Sequence, residues 1–210
     1  MNKEDFKKYY QQEDVTSSYS EQRLKNNYRI KKRQKELELF LELLDKTNGE
    51  EILEIGCSSG FLTKHLGKAT AIDTSATMLQ FTKEENPQAK VLEADMFNLP
   101  FKNNSFDKII TMRVWNHLDE EDLRKVSKEA RRVLREGGIL VFDIEEKNWL
   151  RRLVNFFYKR IKRIKGFKVY QYSFIDIQVI LREEGFKIDD WRLLDHRVGK
   201  QIVLKFKKIK

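Results

Sequence analysis

The spacing of apolar residues along the chain changes near residue 49. Before that point apolar residues recur at helical spacing, which predicts a helix over 20–44 that ends before the stop signal Asn48-Gly49. After it, short apolar runs alternate with helical stretches, which is the pattern of a parallel sheet covered by helices. The predicted strands are 51–55, 69–72, 90–93, 106–111 and 139–143, and the predicted helices between them are 61–66, 76–83 and 120–134.

The last third of the chain predicts a different ending for the sheet. The helix after the fourth strand is predicted to end at 135–138, where a basic residue and two glycines suit a helix C-terminus. A helix over 174–184 is followed by Gly185 and by two hairpin strands over 186–194 and 201–206. We therefore predict one domain over 1–210, made of an N-terminal helical cap (1–48), a core (49–143), a basic segment (144–172) and a helix with the C-terminal hairpin (173–210).

Composition excludes several classes of protein. The 40% of hydrophobic residues among 210 excludes wholesale disorder, and the single cysteine excludes a disulfide framework and a multi-cysteine metal site. No apolar run approaches about 18 residues and the first residues are charged, so we expect a soluble, cytoplasmic protein. The net charge of +9 is uneven, because residues 144–210 hold 18 basic and 8 acidic residues.

The basic segment contains a helical stripe of apolar residues. Nine basic residues and no acidic one lie between Lys147 and Lys168, around an apolar face formed by Trp149, Leu153, Phe157, Ile161 and Ile164. Such a segment is typical of contact with anionic membrane surfaces or partner helices, and it could equally hold RNA phosphates. The remaining interpretation is a core-facing stripe with a solvated basic back.

A turn of small residues follows the first predicted strand. The segment 56–60 begins and ends with glycine and opens onto the next helix, so a ligand could approach the backbone and its N–H groups. The G-x-G-x-x-G spacing of dinucleotide sites is absent. Glu54, just before the turn, would repel a pyrophosphate and suit a ligand with an ammonium group. An ordinary tight turn between strand and helix is the alternative.

Acidic residues also end the next two predicted strands. Asp73 could accept hydrogen bonds from both hydroxyl groups of a ribose, while Asp95 could accept one from an adenine amine and Met96 could contact the base. Each acid alone could cap a helix. Since the carboxyl ends of parallel strands meet at one edge, Glu54, Asp73 and Asp95 together predict an adenosine-containing, cationic ligand.

In this order and spacing the residues resemble class I S-adenosylmethionine-dependent methyltransferases, in particular the small, type 11-like group. The similarity is close over 50–143 and loose over the hairpin, and it extends to the segments 99–101, 105–110, 114–118 and 134–138. It implies an α/β, doubly wound, Rossmann-like sheet of seven strands in the order 3-2-1-4-5-7-6, with the last strand antiparallel. It also implies that the N-terminal helix and the basic segment cover the active site.

The resemblance implies S-adenosylmethionine as cofactor and S-adenosylhomocysteine as product. Tyr19 is like a tyrosine that small members place over the cofactor, with Tyr9, Tyr10 and Tyr28 as competing positions. The implied cofactor-binding residues are Glu54, Gly56, Cys57, Ser58, Gly60, Asp73, Thr74, Met78, Asp95, Met96, Arg113 and Tyr19.

Three positions depart from the family's pattern. Ser58 stands where a second glycine is usual, and serine suits the turn if its φ is not strongly positive. Asn116 replaces one of two histidines. Arg113 occupies a usually apolar place, where it bears on contacts with the acceptor or with the methionine carboxylate.

Methyl transfer from a sulfonium is an in-line displacement, so positioning of the acceptor provides much of the catalysis. A base is needed only if the acceptor loses a proton early. His117 is the predicted base, with helix capping or packing as the alternative, whereas His65 and His196 are assigned to packing, surface or turn positions. Three separated histidines and one cysteine predict no metal site.

We therefore predict an S-adenosylmethionine-dependent methyltransferase that acts on a small or lipophilic acceptor. The first alternative is an RNA (tRNA) methyltransferase that uses the basic residues of 147–168. The second is a non-catalytic binding protein on the same fold, supported only by Ser58. A nicotinamide dehydrogenase is disfavoured by the glycine spacing and by Glu54.

Overall fold

The computed structural model describes residues 27–146, 170–196 and 199–210. Two single turns of 3-10 helix occur, at Thr63–His65 and Trp115–His117. The other elements in these ranges are α1 (Asn27–Leu44), β1 (Ile52–Ile55), β2 (Thr70–Asp73), α2 (Ala76–Glu85), β3 (Lys90–Glu93), β4 (Phe106–Thr111), α3 (Glu120–Val133), β5 (Leu134–Glu146), β6 (Gln171–Tyr172), α4 (Phe174–Glu183), β7 (Phe186–His196) and β8 (Gly199–Lys208).

The described strands form one mixed sheet with the order β3-β2-β1-β4-β5-β8-β7. β1 to β5 are parallel along this path, and β8 is antiparallel to both of its neighbours, β5 and β7. The predicted α/β fold with an antiparallel last strand is thus confirmed. The strand count differs, because the two-residue strand β6 pairs with the end of β5 and makes eight strands rather than seven.

Helices cover both faces of the sheet, which gives the chain two apolar cores. On one face the apolar stripe of α1 packs against alternate residues of the central strands, in a cluster that includes Leu37, Phe40, Leu44, Ile52, Ile110, Val141 and Val203. On the other face α3 and α4 pack against the opposite residues of the same strands, in a cluster that includes Val126, Ala130, Ile177, Leu181, Ile109, Leu140, Phe142 and Phe206. This alternation is the period of two of a strand buried on both sides.

Two predicted element boundaries are wrong for a local reason. The helix predicted over 61–66 is only the 3-10 turn Thr63–His65, because it is enclosed between Gly60 and Gly67, whose φ angles are +75° and +68°. The fifth strand, predicted over 139–143, already begins at Leu134, where the chain pairs with β4 directly after α3 ends at Val133. The remaining elements match their predicted ranges to within a few residues.

Helix α1 is described from Asn27, so the predicted start at residue 20 lies outside the described residues. So do Tyr19 and the basic residues between Lys147 and Lys168. No helix in the described ranges combines the length and the apolar character that crossing a membrane requires.

Candidate functional site

The turn after β1 is held tightly against β2. The backbone N–H groups of Gly56 and Cys57 both donate to the carbonyl of Ile72, at 2.8 and 3.0 Å. Gly56 and Gly60 have φ angles of +73° and +75°, which only glycine adopts without strain. A Cβ atom on Gly56 would lie 2.4 Å from Val114 Cγ2, so this turn also abuts the segment after β4.

Ser58, between the two glycines, also has a left-handed backbone with a φ of +51°. The condition under which serine was expected to suit the turn, a φ that is not strongly positive, is therefore not met. The turn forms nevertheless, because the Ser58 N–H donates to Asp73 Oδ2 at 2.9 Å and its carbonyl accepts from Thr82 Oγ1 at 2.5 Å. These contacts offset a conformation that costs roughly 1–2 kcal/mol for a residue with a Cβ atom.

Asp73 ends β2 and organises the turns around it. Its Oδ2 accepts from the Ser58 N–H, and its Oδ1 accepts from the Ser75 N–H at 3.0 Å. Burial raises the pKa of Asp73 above its usual value, while these backbone hydrogen bonds act in the opposite direction. A third backbone N–H, that of Thr74, acts on the Asp73 pKa in the same direction.

Glu54 is buried in the penultimate position of β1, with 3% of its surface exposed. Its Oε2 accepts a hydrogen bond of 2.6 Å from Thr63 Oγ1, on the 3-10 turn that follows the glycine turn. Burial, with a further contribution from the charge of Asp73, raises the pKa of Glu54 to about 8. The side chain is therefore largely protonated at neutral pH in this structure, and a nearby positive charge would favour its ionised form.

Asp95 and Met96 follow β3 at the same edge of the sheet. The Asp95 side chain accepts the N–H of Phe97 at 3.1 Å, and its carbonyl accepts the N–H of Asn98 at 3.0 Å. Met96 is partly buried against the core on the α3 side. The carboxylate therefore lies at the end of the third strand, as the sequence predicts, and shapes a tight turn there.

The smaller predicted residues line the region between the glycine turn and α2. Met78 is buried, with its Sδ 3.7 Å from Ser58 Oγ, and Thr74 lies between Asp73 and the N-cap residue Ser75. Cys57 is 3% exposed, and burial raises the pKa of its thiol far above the usual value. A thiol with so little thiolate is a packing residue and not a nucleophile.

The segment after β4 brings Arg113 and His117 to the same edge. Arg113 has a left-handed backbone, with a φ of +62°, and its Nη1 lies 3.5 Å from Glu36 Oε1 of α1. His117 ends the 3-10 turn, half-buried, and its N–H donates to the carbonyl of Val114. His65 lies on the other 3-10 turn, with its ring 6.3 Å from that of Phe61.

Three buried polar residues at this edge escaped the sequence analysis. Asp143, Gln201 and Glu36 are 1%, 1% and 0% exposed, and they converge from β5, β8 and α1. Asp143 ends the strand predicted over 139–143, so the rule that found Asp73 could have found it as well. Glu36 and Gln201 carry no comparable signal, because only the tertiary fold brings them there.

The glycine turn and the acids at the ends of β1, β2 and β3 lie on a sheet with the strand order that the resemblance to class I methyltransferases implies, and known proteins match this part of the chain. A family model described as a methyltransferase domain matches residues 53–142. The predicted resemblance to class I S-adenosylmethionine-dependent methyltransferases is thus confirmed, and the chain has their fold.

Two relatives and one solved structure illustrate the similarity. The chain is 30% identical to an uncharacterized protein of Methanocaldococcus jannaschii, over 67% of this chain and 63% of that protein. It is 27% identical to a demethylmenaquinone methyltransferase of Thermotoga maritima, over 70% of this chain and 75% of that protein.

The structure of a magnesium protoporphyrin IX methyltransferase from Synechocystis, with bound S-adenosylhomocysteine, superposes with a TM-score of 0.77. It covers 99% of this chain and 100% of that one, at 17% identity, and therefore demonstrates the fold alone. The chain spans less than two thirds of the length of the first relative.

Proposed function

We propose that this protein transfers a methyl group from S-adenosylmethionine to an acceptor. The observation that carries the proposal is the ring of carboxylates at the ends of β1, β2 and β3, namely Glu54, Asp73 and Asp95, around a turn with three left-handed residues. These groups suit a ligand that combines a positive charge, a ribose and an adenine.

Each residue of the proposed cofactor site has a definite task. Asp73 is the proposed acceptor for the ribose hydroxyls, and Asp95 with Met96 holds the adenine. Glu54 faces the positively charged methionine end, next to the turn formed by Gly56, Cys57, Ser58 and Gly60. Thr74, Met78, Arg113 and Tyr19 complete the proposed site, and Tyr19 lies outside the described residues.

The cofactor supplies a methyl group on a sulfonium sulfur, and transfer breaks the sulfur–carbon bond as the acceptor atom forms its own bond to that carbon. This chain's contribution is to hold the acceptor in line and to exclude water. His117 lies at the same edge as the glycine turn, where its imidazole could take the proton that the acceptor loses.

The first test is calorimetry with S-adenosylmethionine and, in parallel, with NAD. We expect binding of the former at micromolar concentrations and none of the latter, because the glycine spacing of dinucleotide sites is absent. Absence of S-adenosylmethionine binding at tens of micromolar contradicts the proposal. Binding with no methyl transfer to any acceptor fraction identifies a non-catalytic binding protein instead.

A small or lipophilic molecule is the proposed acceptor, with an anionic membrane surface as the partner. Two proteins similar to this chain are named for demethylmenaquinone and magnesium protoporphyrin IX. Four large apolar side chains are also exposed on α4 and on the edge strand β7, with exposed fractions of 71% for Ile175, 49% for Val179, 46% for Trp191 and 39% for Leu193.

This apolar patch lies at the acceptor edge of the sheet. Leu193 is paired with Ile202, which is paired with Ile144, one residue beyond Asp143. The strongly basic stretch of the sequence ends at Lys168, shortly before α4 begins, so positive charge and apolar surface are adjacent along the chain. Together they match the headgroups and acyl chains of an anionic membrane.

The acceptor is identified by supplying S-adenosylmethionine with a labelled methyl group to separate lipid, small-molecule and RNA fractions. We expect label in the lipid or small-molecule fraction, and its absence with Asp73→Ala as control. Label in RNA alone would replace the lipophilic acceptor with a nucleic acid.

Membrane contact is tested by flotation with vesicles of phosphatidylglycerol and of phosphatidylcholine. We expect the protein to float only with the former, and Ile175→Ser combined with Val179→Ser to weaken this binding severalfold. Phe81→Ser, at an apolar residue that is 42% exposed on α2, is the matched control. Equal loss of vesicle binding in both variants argues against the membrane partner. So does a loss of self-association while vesicle binding is unchanged.

A further inference from the structure

The turn after β4 is held by a carboxylate from the neighbouring strand. Arg113 has a φ of +62°, which a residue with a Cβ atom adopts only when its surroundings impose it. Its backbone N–H donates to Asp143 Oδ1 at 2.5 Å, and Asp143 lies near the carboxyl end of β5, 1% exposed. A charged acceptor makes this hydrogen bond stronger than one between neutral groups.

The second oxygen of the same carboxylate is bound from the opposite side. Gln201 Nε2, on β8, donates to Asp143 Oδ2 at 2.8 Å. Asp143 is thus joined to two elements that are distant in the sequence, the turn after β4 and the strand β8. Its position is fixed by β5 and β8, and it can in turn fix the position of the Arg113 backbone.

The turn held in this way makes direct contact with the glycine turn after β1. Val114 follows Arg113, and its Cγ2 occupies the space where a Cβ atom of Gly56 would lie, at 2.4 Å. The Val114 carbonyl also accepts the N–H of His117 at 3.1 Å. A shift of this turn would therefore move both the wall of the proposed cofactor site and the proposed base.

The charges around Asp143 come from three elements. The Arg113 guanidinium reaches Glu36 Oε1, which is also 3.5 Å from Lys32 Nζ. Arg33, which lies on α1 with Glu36, is close enough to Arg113 and Glu36 to interact with their charges. Glu145, two residues further along β5, is a further buried acid on this strand.

We propose that Asp143 is a positioning residue for methyl transfer, whose ionised carboxylate holds the Arg113–Val114 turn against Gly56 and thereby sets both the cofactor pocket and His117. This inference rests on the proposed function. It assigns Asp143 no contact with cofactor or acceptor, because the carboxylate acts through the backbone of the turn.

The acid–base behaviour of Asp143 gives this role a signature. Burial raises the pKa of Asp143 to about 6. The hydrogen bonds from Arg113 and Gln201 and the positive charge of Arg113 act in the opposite direction. Below that pH the protonated carboxyl is a weaker acceptor for the Arg113 N–H, so the turn is held less firmly.

The direct measurement is the amide proton of Arg113 in protein labelled with ¹⁵N-arginine, with the signal assigned by its loss in Arg113→Lys. We expect a strongly downfield proton shift that moves between pH 5 and 7 and stays constant in Asp143→Asn. An Arg113 amide that does not titrate, or that titrates unchanged in Asp143→Asn, overturns the inference.

The functional measurement compares cofactor affinity and kcat across the same pH range. Asp143→Asn keeps a side-chain carbonyl for the Arg113 N–H but no charge, so at pH 8 we expect kcat to fall about five- to tenfold. The kcat of Asp143→Ala at pH 8 should be lower still. Asp195→Asn, an exposed acid on β7, is the matched control.

The outcomes separate the two proposals. If the wild-type protein binds no S-adenosylmethionine at pH 8, the proposed function fails, while the amide titration still decides whether Asp143 holds the turn. If the wild type binds the cofactor and folded Asp143→Asn equals it at every pH, the positioning role fails alone. Should Asp143→Ala not fold, Asp143→Asn and the amide shift decide the question.

Discussion

The two halves of the sheet's carboxyl edge place their polar groups in different ways. At the ends of β2 and β3 the carboxylates bind backbone N–H groups no more than 15 residues away: Asp73 reaches Ser75 and Ser58, and Asp95 reaches Phe97. At the ends of β4 and β5 the partners are far apart, with 30 residues between Arg113 and Asp143 and 58 between Asp143 and Gln201.

This difference determines which changes each half tolerates. The first half is a set of preformed turns, so its geometry depends on backbone conformation and on the small size of its residues. The second half depends on charged and amide side chains that meet across the sheet, so its geometry depends on the charge and shape of residues that are distant in sequence.

Substitution of Gly56 should be the most damaging change in the first half. In Gly56→Ala the new Cβ would meet Val114 Cγ2 at 2.4 Å, and the φ of +73° would be strained as well. We expect a loss of about 3 kcal/mol in cofactor binding, more than 100-fold, as judged by calorimetry.

Gly49→Ala provides the matched control, because Gly49 has a φ of +84° and no atom within 4 Å of its Cβ position. It carries the strain without the clash, and cofactor affinity should remain unchanged. Partial recovery in Gly56→Ala with Val114→Ala would identify the contact between the two halves as the cause. Equal affinity of Gly56→Ala and wild type would show that the two turns can separate freely.

Asp73→Ala should have the next largest effect. The carboxylate accepts the N–H groups of Ser58 and Ser75 and is proposed to bind the ribose, so both stability and cofactor affinity should fall. Each charge-assisted hydrogen bond contributes about 1.5–3 kcal/mol, which corresponds to at least a tenfold loss of affinity. Calorimetry together with thermal unfolding separates the two losses, and a folded variant with unchanged affinity would place the ribose elsewhere.

Glu54 gives the first half its own dependence on pH. Because its pKa is raised to about 8 when folded, the folded protein binds a proton there that the unfolded chain releases near pH 4.5. The contribution of this group to the free energy of unfolding is therefore fully present below pH 4.5 and is lost as pH rises through about 8. We expect a decrease of at least about 1.4 kcal/mol over this range relative to Glu54→Gln.

The same shift predicts that cofactor binding releases a proton. A positively charged ligand beside Glu54 favours its ionised form, so the enthalpy of binding measured at pH 7 should depend on the ionisation enthalpy of the buffer. Glu54→Gln should abolish that dependence. A buffer-independent enthalpy in the wild type would mean that the ligand's charge lies away from Glu54.

The smallest effect should come from relieving backbone strain in each half. Ser58→Gly removes a left-handed serine from a turn that is otherwise intact, and should stabilise the protein by about 1 kcal/mol. Arg113→Gly relieves the same kind of strain but removes the contact with Glu36, so its net effect should be close to zero. Thermal unfolding distinguishes them, and an equal gain in both variants would show that the Glu36 contact contributes nothing.

The division also explains what the sequence could predict. The glycine turn, Asp73 and Asp95 could be found because short-range patterns report strand ends and the turns that follow them. Glu36 and Gln201 could not, since each reaches the site only through the packing of α1 on the sheet and the insertion of β8 between β5 and β7. The left-handed backbone of Ser58 could not be predicted, because the hydrogen bonds that stabilise it come from Asp73 and Thr82, which lie 15 and 24 residues away.

Cys57 makes the glycine turn open to observation without any engineering. It is the single cysteine of the sequence, it is 3% exposed, and its thiol lies 3.8 Å from the Ser58 carbonyl and 3.9 Å from Thr82 Oγ1. A thiol reagent can reach it only when the turn opens, so the rate of labelling under native conditions reports how often the turn is open. Binding of a ligand at the proposed cofactor site, or loss of the Asp73 side chain, would change the rate at which Cys57 is labelled.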